Sequence, residues 1–485
     1  MGFLLVAGFQ SAIGHTRFSP SAYVSDFRVL ACGERAVLQR ADPYLTEPLR
    51  SCEHTLGLED NEPTWSATPF CLPPYSAAFL APFGAIDPNV GRTLWFLLIV
   101  LATCVTAVAI AKILERSAFG VALVLAPTVG LLNLLYGETV PFAIAAVAIA
   151  ALALQRRAPV LAALSTTAAL LEPAIGLPAA VGLFILVPEA RRALVAFTAV
   201  LAAISVLTFG LQRNLEYILT FLPAHEHAEV LARDQYSLTH FAYTLGASPH
   251  LASTLGSLSY VCAVVFGVLA ARRLGVRMEL PALFVLLPLA VSMLGGPFVH
   301  DVEIAAALPA ALLLARDSWM ARLVVALLAV DWNEAWRRAV VPTLGAASGA
   351  ASLYCKGTRP KQQLLYIVAF AGGILGLHAA LPEPPAYVGI TVGYPVPPIS
   401  ATDMSSVPWE WHIRLDPSLN HVNIADPMRK APTWLALALL PLALLGEEAR
   451  IRSLQAARRR RLKQPAIPTF PWISQYAEPH APKEV

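Results

Sequence analysis

This chain is short of charge. Only 14% of its 485 residues are Asp, Glu, Lys or Arg and 56% are hydrophobic, where a soluble domain carries about 25% charged residues. Segments of about ten residues with alternating polarity are missing, which excludes a transmembrane β-barrel. No Gly-rich phosphate loop of the P-loop or dinucleotide type occurs. No hydrophilic stretch between the basic clusters is long enough for a nucleotide-binding domain. ATP and nucleotide sugars are therefore not the expected source of activated groups. Net charge is only +3, and it says little about partners because the charges are confined to particular loops.

What is present is a succession of apolar runs from Leu94 to Leu445, many of them near the roughly 20 residues that cross a hydrocarbon core as a helix. The spacing predicts spans at 3–14, 93–113, 118–135, 139–154, 158–171 with 173–187, 192–211, 252–271, 279–296, 301–315, 320–334, 339–353, 362–381 and 431–446. The fold class is an all-α polytopic membrane protein of about 12–14 membrane helices. "MGFLLVAGFQSAIGH" has no basic start and no small-x-small cleavage site, so it reads as a short first span rather than a secretory signal.

Lys and Arg clusters fall on alternate loops: Lys112 with Arg116, Arg156–Arg157, Arg191–Arg192, Arg272 to Arg277, Arg316 with Arg322, Lys356 to Lys361, and a tail from Arg450 to Lys463. Short basic loops stay cytoplasmic. Arg337 and Arg338 are the exception. The 447–485 tail, with its "RRRRLK" and following Pro-rich stretch, reads as a cytoplasmic segment held near anionic headgroups. On the other side lie loops 15–92, 212–250 and 382–430, joined to one polytopic unit over 1–446. "STTAALLEPAIGLP" inside 158–187 breaks that segment into two arms too short to span, a hairpin tolerated only against protein or a cavity.

Of six cysteines, Cys104 and Cys262 lie in apolar helices, Cys355 in a basic loop, and Cys32, Cys52 and Cys71 in the first outer loop. In an oxidising compartment Cys52–Cys71 is a candidate bridge, with Cys32 left over.

Polar chemistry therefore gathers on the outer side. "SDFRVLACGERAVLQRADPY" has apolar residues at helical spacing and reads as an amphipathic helix along the interface, ended before Pro43. Asp26 at its start is either a helix cap or surface charge, or a functional carboxylate. "PPYSAAFLAPFGAIDP" reads as a helix partly dipping into the membrane. Further polar groups stand at outer ends of spans: Glu138 in "YGE", Glu172 in "LEP", Gln235 and Ser237 in "DQYSLTHF", and His300 and Asp301 in "GGPFVHDVE". A charge at membrane depth is costly, so such groups face a cavity or one another. "HEH" at 225–227 offers two imidazoles without a convincing further ligand, and no metal site is assigned.

The order of these features, "DFRVLACGERAVLQRADPY", "PPYSAAFLAPFGAI", "LLNLLYGE", "QRRAPVLAALSTTAALLEPAIGLP", "DQYSL" and "HDVEIAAALPAALLL", resembles the polyprenol-phosphate-sugar glycosyltransferases of family 87, the group that includes phosphatidylinositol-mannoside mannosyltransferases. The resemblance covers roughly residues 20–315. It implies a C-type glycosyltransferase fold opening outward, with the catalytic carboxylate in the first outer loop, where Asp26 stands, and a histidine near the donor phosphate, matched by His300. The family often has Gln at the place of Glu138 and Lys at the place of Glu172.

That chemistry suits the residues. An acceptor hydroxyl attacking an anomeric carbon needs a base, and partial burial would raise an Asp carboxyl from its ordinary pKa of about 3.9 towards that task. The departing phosphate needs donors, with Arg28, Arg35 and His300 as candidates; Glu138, Glu172, Gln235, Ser237 and Asp301 are candidates to line the cavity. "SDFR" lacks a second Asp beside the first, which favours metal-independent catalysis without a cofactor. The expected partners are a polyprenyl-phosphate sugar, a lipid or glycan acceptor and membrane lipids, and no nucleic acid. The expected place is a bacterial inner membrane with the site facing the periplasm, and the expected reaction is transfer of a mannose-like hexose with inversion. A transporter or flippase is the alternative, but it calls for paired broken helices in two repeats, and one broken hairpin is found. Other polyprenyl-linked enzymes lean on a basic outer loop, whereas 212–250 has only Arg213 and Arg233.

Overall fold

The computed structural model describes residues 24, 27–56, 65–230, 232, 234–296, 299–316, 318–383, 396–416 and 425–463. Among these the chain is helical, with only two isolated backbone bridges of the β type. Five described helices are long and apolar enough to cross a membrane: Pro88–Leu114, Ala118–Tyr136, Pro188–Glu229, Pro249–Arg277 and Pro360–Ala380. Shorter apolar helices fill the space between them. This is the polytopic helical architecture that the apolar runs imply.

Ends of the spans follow local chemistry. Asp87 caps Pro88–Leu114 by accepting from the backbone N–H groups of Asn89 and Val90, and Ser117 and Ser248 cap the helices that follow them. Pro at the first helical position opens 88–114, 159–169, 173–186, 249–277 and 360–380, where its missing N–H costs nothing. The hairpin at 158–187 forms as two helices, Pro159–Ala169 and Pro173–Leu186, broken at Leu170–Glu172. Gly176 permits the sharp return, because a Cβ there would lie 2.4 Å from the carbonyl oxygen of Ala169.

Two apolar cores share the work. One, rich in Ala, Val and Leu, is centred on helices Val140–Gln155, Leu283–Ser292, 301–314 and Trp319–Leu328. The other is aromatic and lies beneath the first outer loop, where Phe27, Tyr44, Phe70, Trp95, Tyr217 and Phe221 meet. By contrast Pro188–Glu229 and Pro360–Ala380 leave most of their apolar side chains outside the protein, as lipid-facing helices do.

The first outer loop differs from its reading in two respects. Helix Phe27–Leu38 is covered nearly all round, with Phe27, Leu30, Cys32, Gly33 and Ala36 buried among others, so protein rather than lipid takes its apolar face. The disulfide joins Cys32 to Cys52, at a Cα separation of 5.6 Å, inside the usual range for a bridge. This corrects the Cys52–Cys71 candidate. Cys32 and Cys52 stand on the packed helices Phe27–Leu38 and Thr46–Thr55, while Cys71 faces His225.

The segment read as a second outer loop begins as helix. Pro188–Glu229 runs on because Tyr217, Phe221, His225 and Glu229, each four residues apart, form one buried face. A short helix, Leu238–Thr244, follows. The first and third outer loops are stitched together by backbone. Thr46 N–H donates to the Asp403 carbonyl at 2.8 Å, Glu47 N–H to Ala401 at 3.1 Å, and Ser405 N–H to Tyr44 at 2.9 Å. Ser66 Oγ lies 2.8 Å from His412 Nδ1 across the same seam.

Glu34 generates the first prediction. It is fully buried, and neither of its carboxylate oxygens has a hydrogen-bond partner among the described residues. Burial pushes its pKa from 4.5 up to about 9. A carboxyl group raised in this way stabilises the fold fully below about 4.5, and the contribution is lost as pH rises through about 9. Each pH unit in that window costs up to about 1.4 kcal/mol. Thermal unfolding in detergent at about pH 5, 7 and 9 should show the wild-type midpoint falling, and a flatter series for Glu34→Gln. Parallel series would contradict it.

Candidate active site

The aromatic core positions one wall. Tyr44 sits 5.0 Å from Tyr217 and 4.9 Å from Phe221 between ring centroids. Its hydroxyl donates to the Leu72 carbonyl at 2.9 Å, and the Tyr217 hydroxyl donates to the Cys71 carbonyl at 2.9 Å. These bonds fix the backbone at 71–72. Cys71 Sγ then lies 3.2 Å from His225 Nε2. The Cys71 side chain is exposed to the recess, yet it lies deep in the protein. Desolvation, reinforced by the Glu229 carboxylate, pushes its thiol well above the ordinary range.

The buried face of helix Pro188–Glu229 leads into the same place. Its last residue, Glu229, accepts from Trp409 Nε1 at 2.5 Å on one carboxylate oxygen. The other oxygen faces His300 Nε2 at 3.2 Å and Gln235 Nε2 at 3.2 Å. Gln235 is held by the Val299 N–H, which donates to its Oε1 at 2.9 Å, and Tyr236 N–H donates back to the Val299 carbonyl at 2.6 Å. His300 Nδ1 faces Glu303 Oε2 at 3.4 Å, and the His300 N–H donates to the same carboxylate. Burial works against a charged imidazole here, but Glu303, Glu229 and Asp234 outweigh it and hold His300 well above its ordinary range.

Asp234 is exposed to the recess within electrostatic reach of His300, Glu229 and Lys430. Asp301 accepts from Asn333 Nδ2 at 3.0 Å. Glu172, at the break of the hairpin, accepts from the Thr139 hydroxyl at 2.8 Å. Both Glu172 and Glu138 act electrostatically on Cys71. A recess thus forms where four separated stretches meet: 71–75, 138–172, 225–236 and 300–303.

The sequence-derived candidates are distributed unevenly over this recess. His300 and Gln235 touch directly, with their side-chain nitrogens 3.0 Å apart. Glu138, Glu172 and Asp301 lie around them. Ser237 instead caps helix Leu238–Thr244, accepting from His240 N–H at 3.1 Å. Arg35 donates from Nε to the Gly84 carbonyl at 3.2 Å, and Arg28 is half-buried on the same helix. Asp26 lies outside the described residues. Its described neighbours Val24 and Phe27 are anchored, Val24 N–H to the Leu134 carbonyl at 2.8 Å and the Phe27 ring 5.9 Å from that of Trp95.

Four residues escaped the sequence reading. Glu229 is one, and the spacing 217, 221, 225, 229 was its signal. Trp409 has no sequence signal. Arg429 and Lys430 are nearly fully buried, and Lys430 Nζ donates to the Gln235 carbonyl at 2.6 Å while lying 5.4 Å from the Tyr236 ring centroid. Their signal was a basic pair on the side where Lys and Arg are otherwise scarce.

A polytopic helical bundle with a polar recess where its loops meet the span ends is consistent with a membrane glycosyltransferase. The comparison with known families makes that specific: residues 70–297 match the model of glycosyltransferase family 87. No curated protein matches the chain. The matched stretch includes Cys71, Glu138, Glu172, Glu229, Asp234 and Gln235, and stops just before His300. The match is to a family of enzymes, which supports a glycosyltransferase over the transporter alternative.

The cysteine geometry is open to a direct check. Non-reducing peptide mapping should recover Cys32 linked to Cys52 and Cys71 as a free thiol. A Cys52–Cys71 peptide would overturn the arrangement.

Proposed function

We propose that this glycosyltransferase transfers a hexose, with mannose as the first candidate, from a polyprenyl-phosphate-linked donor to a lipid or glycan acceptor. The reaction takes place at the periplasmic face of a bacterial inner membrane. The observation that carries the reading is the convergence of Cys71, Glu172, Gln235 and His300, from four separate stretches, into one recess at the span ends. The positive-inside pattern supports an outer-side position for those ends, and the Cys32–Cys52 bridge in the same loop suits an oxidising compartment. A donor reaching that side is best carried by the membrane itself.

The acceptor oxygen attacks the anomeric carbon, the bond from that carbon to the phosphate oxygen breaks, and polyprenyl phosphate leaves with the electron pair. Asp26 takes the acceptor proton. Attack opposite the leaving group inverts the configuration. Asp26 is favoured as base by the family resemblance and by its position in the sequence just before helix Phe27–Leu38, and the anchoring of Val24 and Phe27 beside the 134–138 turn supports that role. His300 serves the phosphate end, supported by its contacts with Gln235 and Glu229 and by its raised pKa. Arg28 and Arg35 are retained as donors that approach the phosphate from the first loop.

In proteoliposomes with a synthetic polyprenyl-phosphate hexose, the wild type should transfer sugar and Asp26→Asn should lose about 10²–10⁴-fold in rate while eluting as a folded protein. His300→Ala should raise the donor concentration needed for half-maximal rate. Full activity of Asp26→Asn would remove Asp26 as base. Turnover with a nucleotide sugar alone would overturn the donor assignment.

A further inference from the structure

We propose that Glu229, Asp234 and His300 form a binding site for a divalent first-row transition metal, such as Mn²⁺ or Zn²⁺. One ligand atom from each lies within 4.8 Å of the others. They come from three places: the end of a long helix, the turn after it, and the head of helix 301–314. The constellation is more than a group of carboxylates. On the far side of Glu229, His225 Nε2 lies 4.0 Å from Oε1, and Cys71 Sγ lies 3.2 Å from that same nitrogen. An imidazole beside two carboxylates suits a first-row transition metal, whereas Mg²⁺ and Ca²⁺ prefer oxygen alone.

Outer partners already orient the ligands. A metal-bound imidazole usually gives its second ring nitrogen to a carboxylate, and Glu303 occupies that position at 3.4 Å from Nδ1. This directs Nε2 of His300 towards Glu229 and Asp234. Trp409 Nε1 holds Oε1 of Glu229, so Oε2 faces the imidazole. Binding exchanges the imidazole proton for the ion.

Charge around the recess points the same way. Glu138, Glu172, Asp301 and Glu303 lie within electrostatic reach of the three ligands or of Cys71 beside them. One cation beside the site, Lys430, is engaged by the Gln235 carbonyl and the Tyr236 ring. Beside His300, Arg28 and Arg35, a divalent ion supplies further positive charge to offset these carboxylates when an anionic phosphate binds. This last role rests on the phosphate-linked donor proposed above, but metal binding itself does not. It departs from the metal-independent expectation drawn from "SDFR".

The test uses the full-length protein in nanodiscs, stripped with EDTA and equilibrated with Mn²⁺ alone. Elemental analysis should find about one ion per chain, nitrogen coupling from imidazole should appear in pulsed electron paramagnetic resonance, and Mn²⁺ should raise the wild-type unfolding midpoint. Asp234→Asn and Glu229→Gln should cut uptake at least about tenfold, while Glu34→Gln, remote from the ligands, should keep it. Wild-type uptake no higher than that of Asp234→Asn, a spectrum without nitrogen coupling, or equal loss in Glu34→Gln overturns the site. Because no sugar donor is present, failure of metal binding is separate from failure of glycosyl transfer.

Discussion

A carboxylate cannot be taken out of water without a partner, and the centre of this protein is built around that requirement. Glu229 ends a long membrane helix buried on its inner face, where an isolated ion is costly. Trp409, Gln235 and His300 all bond to it, and Glu303 holds the far side of His300. These partners come from the third outer loop, the turn after Glu229 and the head of helix 301–314. Satisfying one charge therefore fixes the relative positions of segments up to 180 residues apart. The aromatic core beneath the first loop serves the same end from the other side, since Tyr44 and Tyr217 bond the backbone that carries Cys71.

Much of the frame was legible because hydrophobic burial follows composition. The apolar runs marked where the helices lie, though only five described helices are long and apolar enough to span, and "LEP" marked the broken hairpin whose turn presents Glu172. Chemistry at single residues was less legible. Glu138, Glu172, Gln235 and His300 could be noticed because they interrupt apolar sequence near span ends. Ser237 looked the same from sequence but is used as a helix cap, since a serine before a helix serves backbone as readily as substrate. Three cysteines in one loop allow three pairings, and only the packing of two short helices selects Cys32–Cys52.

The hardest features to read were those that depend on distant segments. Trp409 matters through a bond to Glu229, 180 residues earlier in the chain, and nothing around it in sequence marks that role. Lys430 stands at the start of the last helix and yet serves the Gln235 turn. Glu34 is opposite in character, a carboxyl buried without a hydrogen-bond partner among the described residues, conspicuous only when the helix that carries it is seen covered on nearly all sides.

The seam between residues 44–47 and 401–405 has a mechanical consequence. Its backbone bonds tie the segment before the Thr46–Thr55 helix to the one that leads to Trp409, and that first segment is itself tied through Cys32–Cys52 to helix Phe27–Leu38. Lifting the indole away from Glu229 would therefore drag on the whole outer canopy, whose two sides behave as a single hood.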